Sequence, residues 1–99
     1  MNFTLLFVHG KLVDPITRAE VLGRSHDYLS ADRVEGFTAD SDSLEFPALV
    51  RDHSSFTDGY VTVIHEDELS ILNEYEMPRH EKRELLLASG KRAWAYVRA

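Results

Sequence analysis

The stretch Thr57-Asp58-Gly59-Tyr60-Val61-Thr62-Val63-Ile64-His65-Glu66-Asp67-Glu68-Leu69-Ser70-Ile71-Leu72-Asn73-Glu74-Tyr75-Glu76-Met77-Pro78 changes its apolar period midway, and that change decides the fold. Residues 57–64 are rich in β-branched and aromatic side chains, with only Thr62 breaking the final apolar run, and they read as a strand. Glu66–Glu76 reads as a helix. Its first turn is acidic, which suits the positive end of the helix dipole, and Met77-Pro78 stops it because proline restricts the residue before it and cannot continue the ladder. Upstream, Phe3-Thr4-Leu5-Leu6-Phe7-Val8 is short and almost continuously apolar, as expected of a strand covered on both faces. His9-Gly10-Lys11 breaks it. Asp14 as N-cap and Pro15 at the first helical position open a second helix, with Ile16, Ala19 and Leu22 on one face and Gly23 as its stop.

Residues 25–46 are less regular. Tyr28, Leu29, Val34 and Phe37 fit neither the helical nor the strand period, and a strand is expected near residues 33–38. Residues 39–45 read as a polar, acidic loop, and Phe46-Pro47-Ala48-Leu49-Val50 as a short extended piece. Downstream, residues 80–87 and 91–98 flank Ser89-Gly90 as a hairpin. Strands dominate and two helices are inserted between them. The expectation is a single α+β domain over residues 1–99: a mainly antiparallel, barrel-like mixed sheet with two main helices.

The 99 residues carry 17 acidic and 11 basic side chains and a formal net charge of −6. Such a chain repels phosphate backbones, so nucleic acid is a poor partner. There is no cysteine, which excludes disulfides, thiolate nucleophiles and cysteine zinc sites. The early apolar run Leu5-Leu6-Phe7-Val8 is too short for a signal segment or a membrane span, so a cytoplasmic protein without membrane association is expected.

One carboxylate sits where a helix surface is apolar. With Leu69 at zero and about 100° per residue, Leu72 falls at roughly 300° and Glu76 at roughly 340°. Glu76 therefore lies between two leucines, at the helix end where the dipole disfavours negative charge. Burial and dipole both push such a carboxyl upward, toward the range of a general base. If the helix ends earlier, Glu76 is simply solvated. The turn Val8-His9-Gly10-Lys11-Leu12 is the second feature. Gly10 permits close approach of backbone, and the exposed N–H groups of such a turn can hold a carboxylate or carbonyl oxygen. It can equally be a plain turn. It is not a phosphate loop, because the upstream glycine and the Ser/Thr after the lysine are missing.

In order along the chain, these pieces resemble the gamma-glutamylcyclotransferase-like superfamily. The first-turn motif of that family is matched by Phe7-Val8-His9-Gly10-Lys11-Leu12, its Leu-Gly helix end by Val21-Leu22-Gly23, and its Gly-aromatic pair by Gly36-Phe37. Its aromatic-Pro-Ala-Leu-Val stretch is matched by Phe46-Pro47-Ala48-Leu49-Val50, and its Gly-containing strand by Thr57-Asp58-Gly59-Tyr60-Val61-Thr62. The Tyr-Glu helix end matches Leu72-Asn73-Glu74-Tyr75-Glu76-Met77, and the last strand matches Ala95-Tyr96-Val97. The resemblance covers nearly the whole chain through the order and spacing of short motifs.

It implies an enzyme of acyltransferase or lyase type that cyclises a gamma-glutamyl amide or amine and releases 5-oxoproline, with Glu76 as catalytic acid/base. It implies a small-molecule substrate held by Val8, His9, Gly10, Lys11, Leu12 and His80, no cofactor, no metal, and a monomer or homodimer. The sequence departs from the pattern at His9 and His80, where the family has tyrosines, at Lys11 in place of Ser/Thr, and at Met77 in place of glycine. Those departures favour the alternative, a non-catalytic small-ligand or protein-binding module of the same fold. A metal site from His9, His26, His53, His65 and His80 finds no ligand spacing. Asp52-His53-Ser54 is expected to be solvated loop, and Asp40, Asp42 and Glu45 lack the twelve-residue calcium pattern. The specificity loop is expected within residues 38–57.

Overall fold

The computed structural model describes residues 2–9, 13, 14, 16, 19, 20, 30–39, 49–76 and 80–98, with backbone alone for 72–76 and 80. Its elements are β1 (Phe3–Val8), β2 (Ser30–Ala39), β3 (Leu49–His65), α1 (Glu66–Glu76), β4 (His80–Leu86) and β5 (Arg92–Arg98). The strands form one five-stranded sheet in the order β2-β3-β1-β5-β4. Neighbours are antiparallel except β1 and β5, which run parallel with Leu6 level with Trp94.

The alternating side chains of β1 feed two apolar clusters, one on each face of the sheet. Phe7 joins Val34, Phe37, Leu49, Val61, Leu87, Ala93, Ala95 and Val97, with Leu5 and Leu85 packed alongside. This cluster draws on all five strands and fills the concave side of the curled sheet. Leu6 and Val8 join Ile64, Leu69 and Tyr96 on the other side, beneath α1. The expectation that β1 is covered on both faces is met.

Two interactions curl the sheet. Beyond the end of β1, β3 meets β5 directly, with Leu49 paired to Val97. At the other margin the β4–β5 turn reaches β2: Ala88 N–H donates to Arg33 O at 2.7 Å, and Ser89 N–H and Oγ both donate to the Asp32 carboxylate. Burial alone raises the Asp32 carboxyl, but the hydrogen bonds from Ser89 Oγ, Arg33 N–H and Ser89 N–H, with Lys91 nearby, outweigh it and hold the group below its ordinary value. Its contribution to folding is present above the ordinary carboxylate range and is lost as pH falls through the lowered pKa. Replacing Asp32 by alanine at pH 7 is expected to cost about 0.5–1.5 kcal/mol, because the clasp is largely exposed. A urea titration of the two proteins checks this.

The structure corrects the sequence reading in three places. Among the described residues there is one continuous helix, not two. Asp14 lies in a bend and Ile16, Ala19 and Glu20 have helical backbone; residues 15, 17, 18 and 21–23, with the extended piece at residues 46–48 and the acidic loop at 40–45, lie outside the described residues. The strand expected at 33–38 runs over the whole of Ser30–Ala39. Residues 51–56, expected to lie in an irregular specificity loop, belong to the 17-residue strand β3, which also takes in the extended Leu49-Val50 and the strand expected from Thr57. The ladder explains the last two. Glu35 pairs with Phe56 but Phe37 pairs with Arg51, so Gly36 alone faces residues 52–55. Gly36 has φ 82°, a conformation glycine adopts without a Cβ penalty. Asp52-His53-Ser54 is thus a bulge within β3, not a loop. The Asp52 carboxylate accepts from Ser54 N–H, Ser54 Oγ and Ser55 Oγ, which gives one N–H that the ladder leaves out a partner.

Candidate functional site

α1 is tied down at its start. Glu66 N–H donates to Asn2 O at 3.0 Å, just before β1 begins. His65 serves as N-cap, and Glu68, three residues on, accepts its N–H through Oε1 at 2.8 Å, the carboxylate half of a capping box. From that anchored end the helix packs on the face of the sheet that carries Leu6 and Val8. Leu69 lies against Leu6, Val8, Ile64 and Tyr96, and the Tyr96 hydroxyl donates to Leu69 O at 3.4 Å. Eleven residues advance roughly 16 Å at the usual helical rise, and six strand residues roughly 20 Å. Four residues after Glu76, His80 opens β4, so a short length of chain ties the helix end to the start of that strand. The helix extends through Glu76, so the alternative in which it stops short does not hold for the backbone.

β4 starts at the end of the sheet where β1 finishes. His80 pairs with Arg98 at the end of β5, and β5 runs parallel to β1. The ends of β1 and β5, the start of β4 and the end of α1 thus share one margin. It is also where β3 and β5 close on each other past β1. Of the residues singled out in the sequence, Val8, His9, Glu76 and His80 come to this margin as backbone positions. Gly10, Lys11 and Leu12 lie outside the described residues.

Val8 is 1% exposed and belongs to the apolar layer beneath α1. Its side chain is core; as a site residue it can offer only backbone. His9 is different. One step beyond the last β1–β3 pair, Val8 with Tyr60, the register brings it level with Gly59. Its ring stacks on Phe7, centroids 6.1 Å apart and planes inclined by 29°. Among the described residues, its Nδ1 is buried and has no hydrogen-bond partner. Burial pushes the imidazole from its ordinary 6.5 down to about 4. His9 is therefore neutral at physiological pH, a polar group held without charge against the concave core.

The consequence for stability has a definite sign. Above about pH 6.5 neither folded nor unfolded His9 is protonated and nothing is lost. Between 6.5 and about 4 the unfolded chain takes up a proton that the folded chain refuses, so stability falls as pH falls, by on the order of 2–3 kcal/mol at the lower limit. Urea midpoints at pH 7 and 4.5 should drop less in His9→Phe than in the wild type.

Gly59, which sequence reasoning did not single out as a site residue, makes this arrangement possible. A Cβ at Gly59 would lie 2.7 Å from Phe7 Cζ and closer still to the Val8 carbonyl oxygen. The bare backbone lets the Phe7 ring, and His9 on top of it, sit down on β3. The glycine was visible in the strand motif, but its task depends on the β1–β3 register. Among the described residues, no group of three or more His, Asp or Glu is arranged to hold a metal ion. No helix among them is long and apolar enough to cross a membrane.

A curled half-barrel of mixed sheet with a covering helix is a known architecture. The chain superposes on an Arabidopsis thaliana protein known from its solution structure, with TM-score 0.82 and 19% identity over 99% of this chain and 70% of that one. It superposes on a gamma-glutamyl cyclotransferase with TM-score 0.72 and 14% identity, covering 99% of this chain and 68% of the other. It also superposes on an AIG2-like protein from Mus musculus with TM-score 0.74 and 19% identity, covering 100% of this chain and 79% of the other. No family model and no curated protein matches the sequence. The chain has the gamma-glutamylcyclotransferase-like fold.

Proposed function

We propose that the protein cyclises a gamma-glutamyl amide or amine, releasing 5-oxoproline and the free amine. The reaction is intramolecular. The substrate's α-amine attacks its own γ-carbonyl carbon, a C–N bond forms to close the five-membered ring, and the C–N bond to the departing amine breaks. The protein need supply no nucleophile; holding the substrate folded back provides much of the rate. Glu76 takes the proton lost by the attacking amine and returns one to the leaving nitrogen. The N–H groups of Gly10, Lys11 and Leu12 receive the substrate carboxylate or the developing oxyanion, with Lys11 adding a cation. His9 and His80 bind the substrate. No step calls for a metal or cofactor.

What supports this reading is the chain path: α1 starts beside Asn2 and ends four residues before His80, which pairs with Arg98 at the end of β5, the strand parallel to β1. The test is direct: incubation with glutathione, gamma-glutamyl amino acids and gamma-glutamylamines, with 5-oxoproline measured by mass spectrometry. Accumulation of 5-oxoproline with at least one of these classes is the expected result, and none with any would refute the reading. A second reading, a non-catalytic module binding a small ligand, is favoured by one observation: a half-buried neutral imidazole, His9, stands where the family resemblance expects a tyrosine hydroxyl. In that case ligands bind but are recovered intact.

A further inference from the structure

We propose that His9 is the residue that selects an amide over an ester at this site, its Nδ1 accepting a hydrogen bond from the N–H of the ligand's gamma-glutamyl amide. The inference rests on the gamma-glutamyl reading proposed above and names which atom of the ligand the chain reads.

The argument begins with an imbalance. A buried polar atom without a partner costs about 1–3 kcal/mol, so one that persists calls for an explanation. Among the described residues, two uncharged side-chain atoms stand in this position, Thr62 Oγ1 and His9 Nδ1. Thr62 is 0% exposed, and its neighbour across the ladder, Leu6, belongs to the layer beneath α1. A ligand has no route to it. His9 is only partly buried, it lies past the last ladder pair of β1, and it stands at the margin where β3 and β5 come together. A ligand arriving at that margin meets the open side of the ring. Rotation about the Cβ–Cγ bond then exchanges Nδ1 with Cδ2 and turns the nitrogen outward.

The chemistry of the partner follows from the ring. A neutral imidazole has one donor nitrogen and one acceptor. With the proton on Nε2, the tautomer favoured by the free histidine side chain, Nδ1 is an acceptor and needs an N–H or O–H. It cannot neutralise a carboxylate, and it gains nothing from an ester oxygen. Stacking on Phe7 holds the plane of the ring, so the half-turn that exchanges Nδ1 with Cδ2 leaves the acceptor in one defined direction. An amide N–H beside the scissile carbonyl is the donor that a gamma-glutamyl ligand offers.

Two probes differing at one position test this: glutamate γ-methylamide and glutamate γ-methyl ester. Binding is measured by calorimetry to Glu76→Gln, so that turnover does not consume the amide, and to the same protein carrying His9→Phe, which keeps a ring on Phe7. The expected result is a preference for the amide of about tenfold or more, the worth of one buried hydrogen bond left unmade, falling below about threefold with His9→Phe. His9→Gln, which retains an acceptor, should restore part of the preference. In protein with wild-type His9, the ¹⁵Nδ1 resonance should move with the amide and not with the ester, a readout that needs no His9 variant and that a purely structural imidazole would not give. A preference that survives His9→Phe, or an unmoved Nδ1 resonance with the amide bound, overturns the assignment while leaving the cyclisation reading intact. If neither probe binds and no 5-oxoproline forms, the cyclisation reading fails and the role of His9 falls with it.

Discussion

Glu76→Gln is expected to lower 5-oxoproline formation by about a hundredfold to ten-thousandfold, the usual worth of a positioned acid/base. The substitution keeps the shape of the side chain and removes only its ability to take a proton. Its effect on folding has the opposite sign. Glu76 is the last residue of α1, where the helix dipole disfavours negative charge, so the amide should leave stability unchanged or raise it by a few tenths of a kcal/mol. The measurement is a pair: initial rates over pH 5 to 9 and a urea midpoint at pH 7. The acid limb of the wild-type pH profile should vanish together with the rate, while the midpoint holds. A variant that turns over at the wild-type rate removes Glu76 from the mechanism. A variant that loses rate and stability together shows a structural carboxylate instead.

That prediction joins two arguments that were legible to different degrees. The helix Glu66–Glu76 and the strand Phe3–Val8 have the bounds expected of them, because each signal is local: an acidic first turn closed by Met-Pro, and one apolar run. The capping box from Glu68 to His65 was also within reach of the sequence, since an acid three residues into a helix is its usual signature. β2 was obscured for a definite reason. Val34 and Phe37 are both buried in the concave core although they are three residues apart, which a two-residue period forbids. The alternation breaks at Gly36, and the extra residues opposite it are the polar 52–55 of β3, whose composition reads as loop. What brings Glu76 to the end of β1 is long-range pairing. Phe3 faces His65, and every later position of α1 is measured from that anchor. A single sequence holds the chemistry of a carboxylate at a helix end but not the register that decides which strand end it meets. The buried state of His9 was hidden similarly, because it depends on a glycine fifty residues away along the chain.

That glycine carries the second large effect. Gly59→Ala is expected to destabilise the fold by about 3 kcal/mol, toward the upper part of the overpacking range, and to lower the melting temperature by roughly 12–24 °C for a chain of this length. The new methyl group meets two obstacles of different kinds. Phe7 Cζ is the far end of a side chain and can move, though only by disturbing its packing in the concave core and the stack with His9. The Val8 carbonyl oxygen is backbone in a paired strand, and relief there means prising β1 from β3 at the last rung of their ladder. Gly36→Ala provides the contrast. Nothing lies within 4 Å of a Cβ at Gly36, but its φ of 82° is strained for alanine. The cost there is about 1–2 kcal/mol of backbone strain, which asparagine should partly relieve. At Gly59 asparagine must be worse than alanine, because space and not conformation is lacking. Thermal melts of the four variants separate the two causes. The site should feel only one of them: His9 loses its seat on Phe7 in Gly59→Ala and keeps it in Gly36→Ala, so the preference for an amide ligand should weaken in the first and survive in the second. A Gly59→Ala protein as stable as the wild type would mean that β1 and β3 are not held in this register, and the margin that gathers His9, His80 and Glu76 would have to be redrawn.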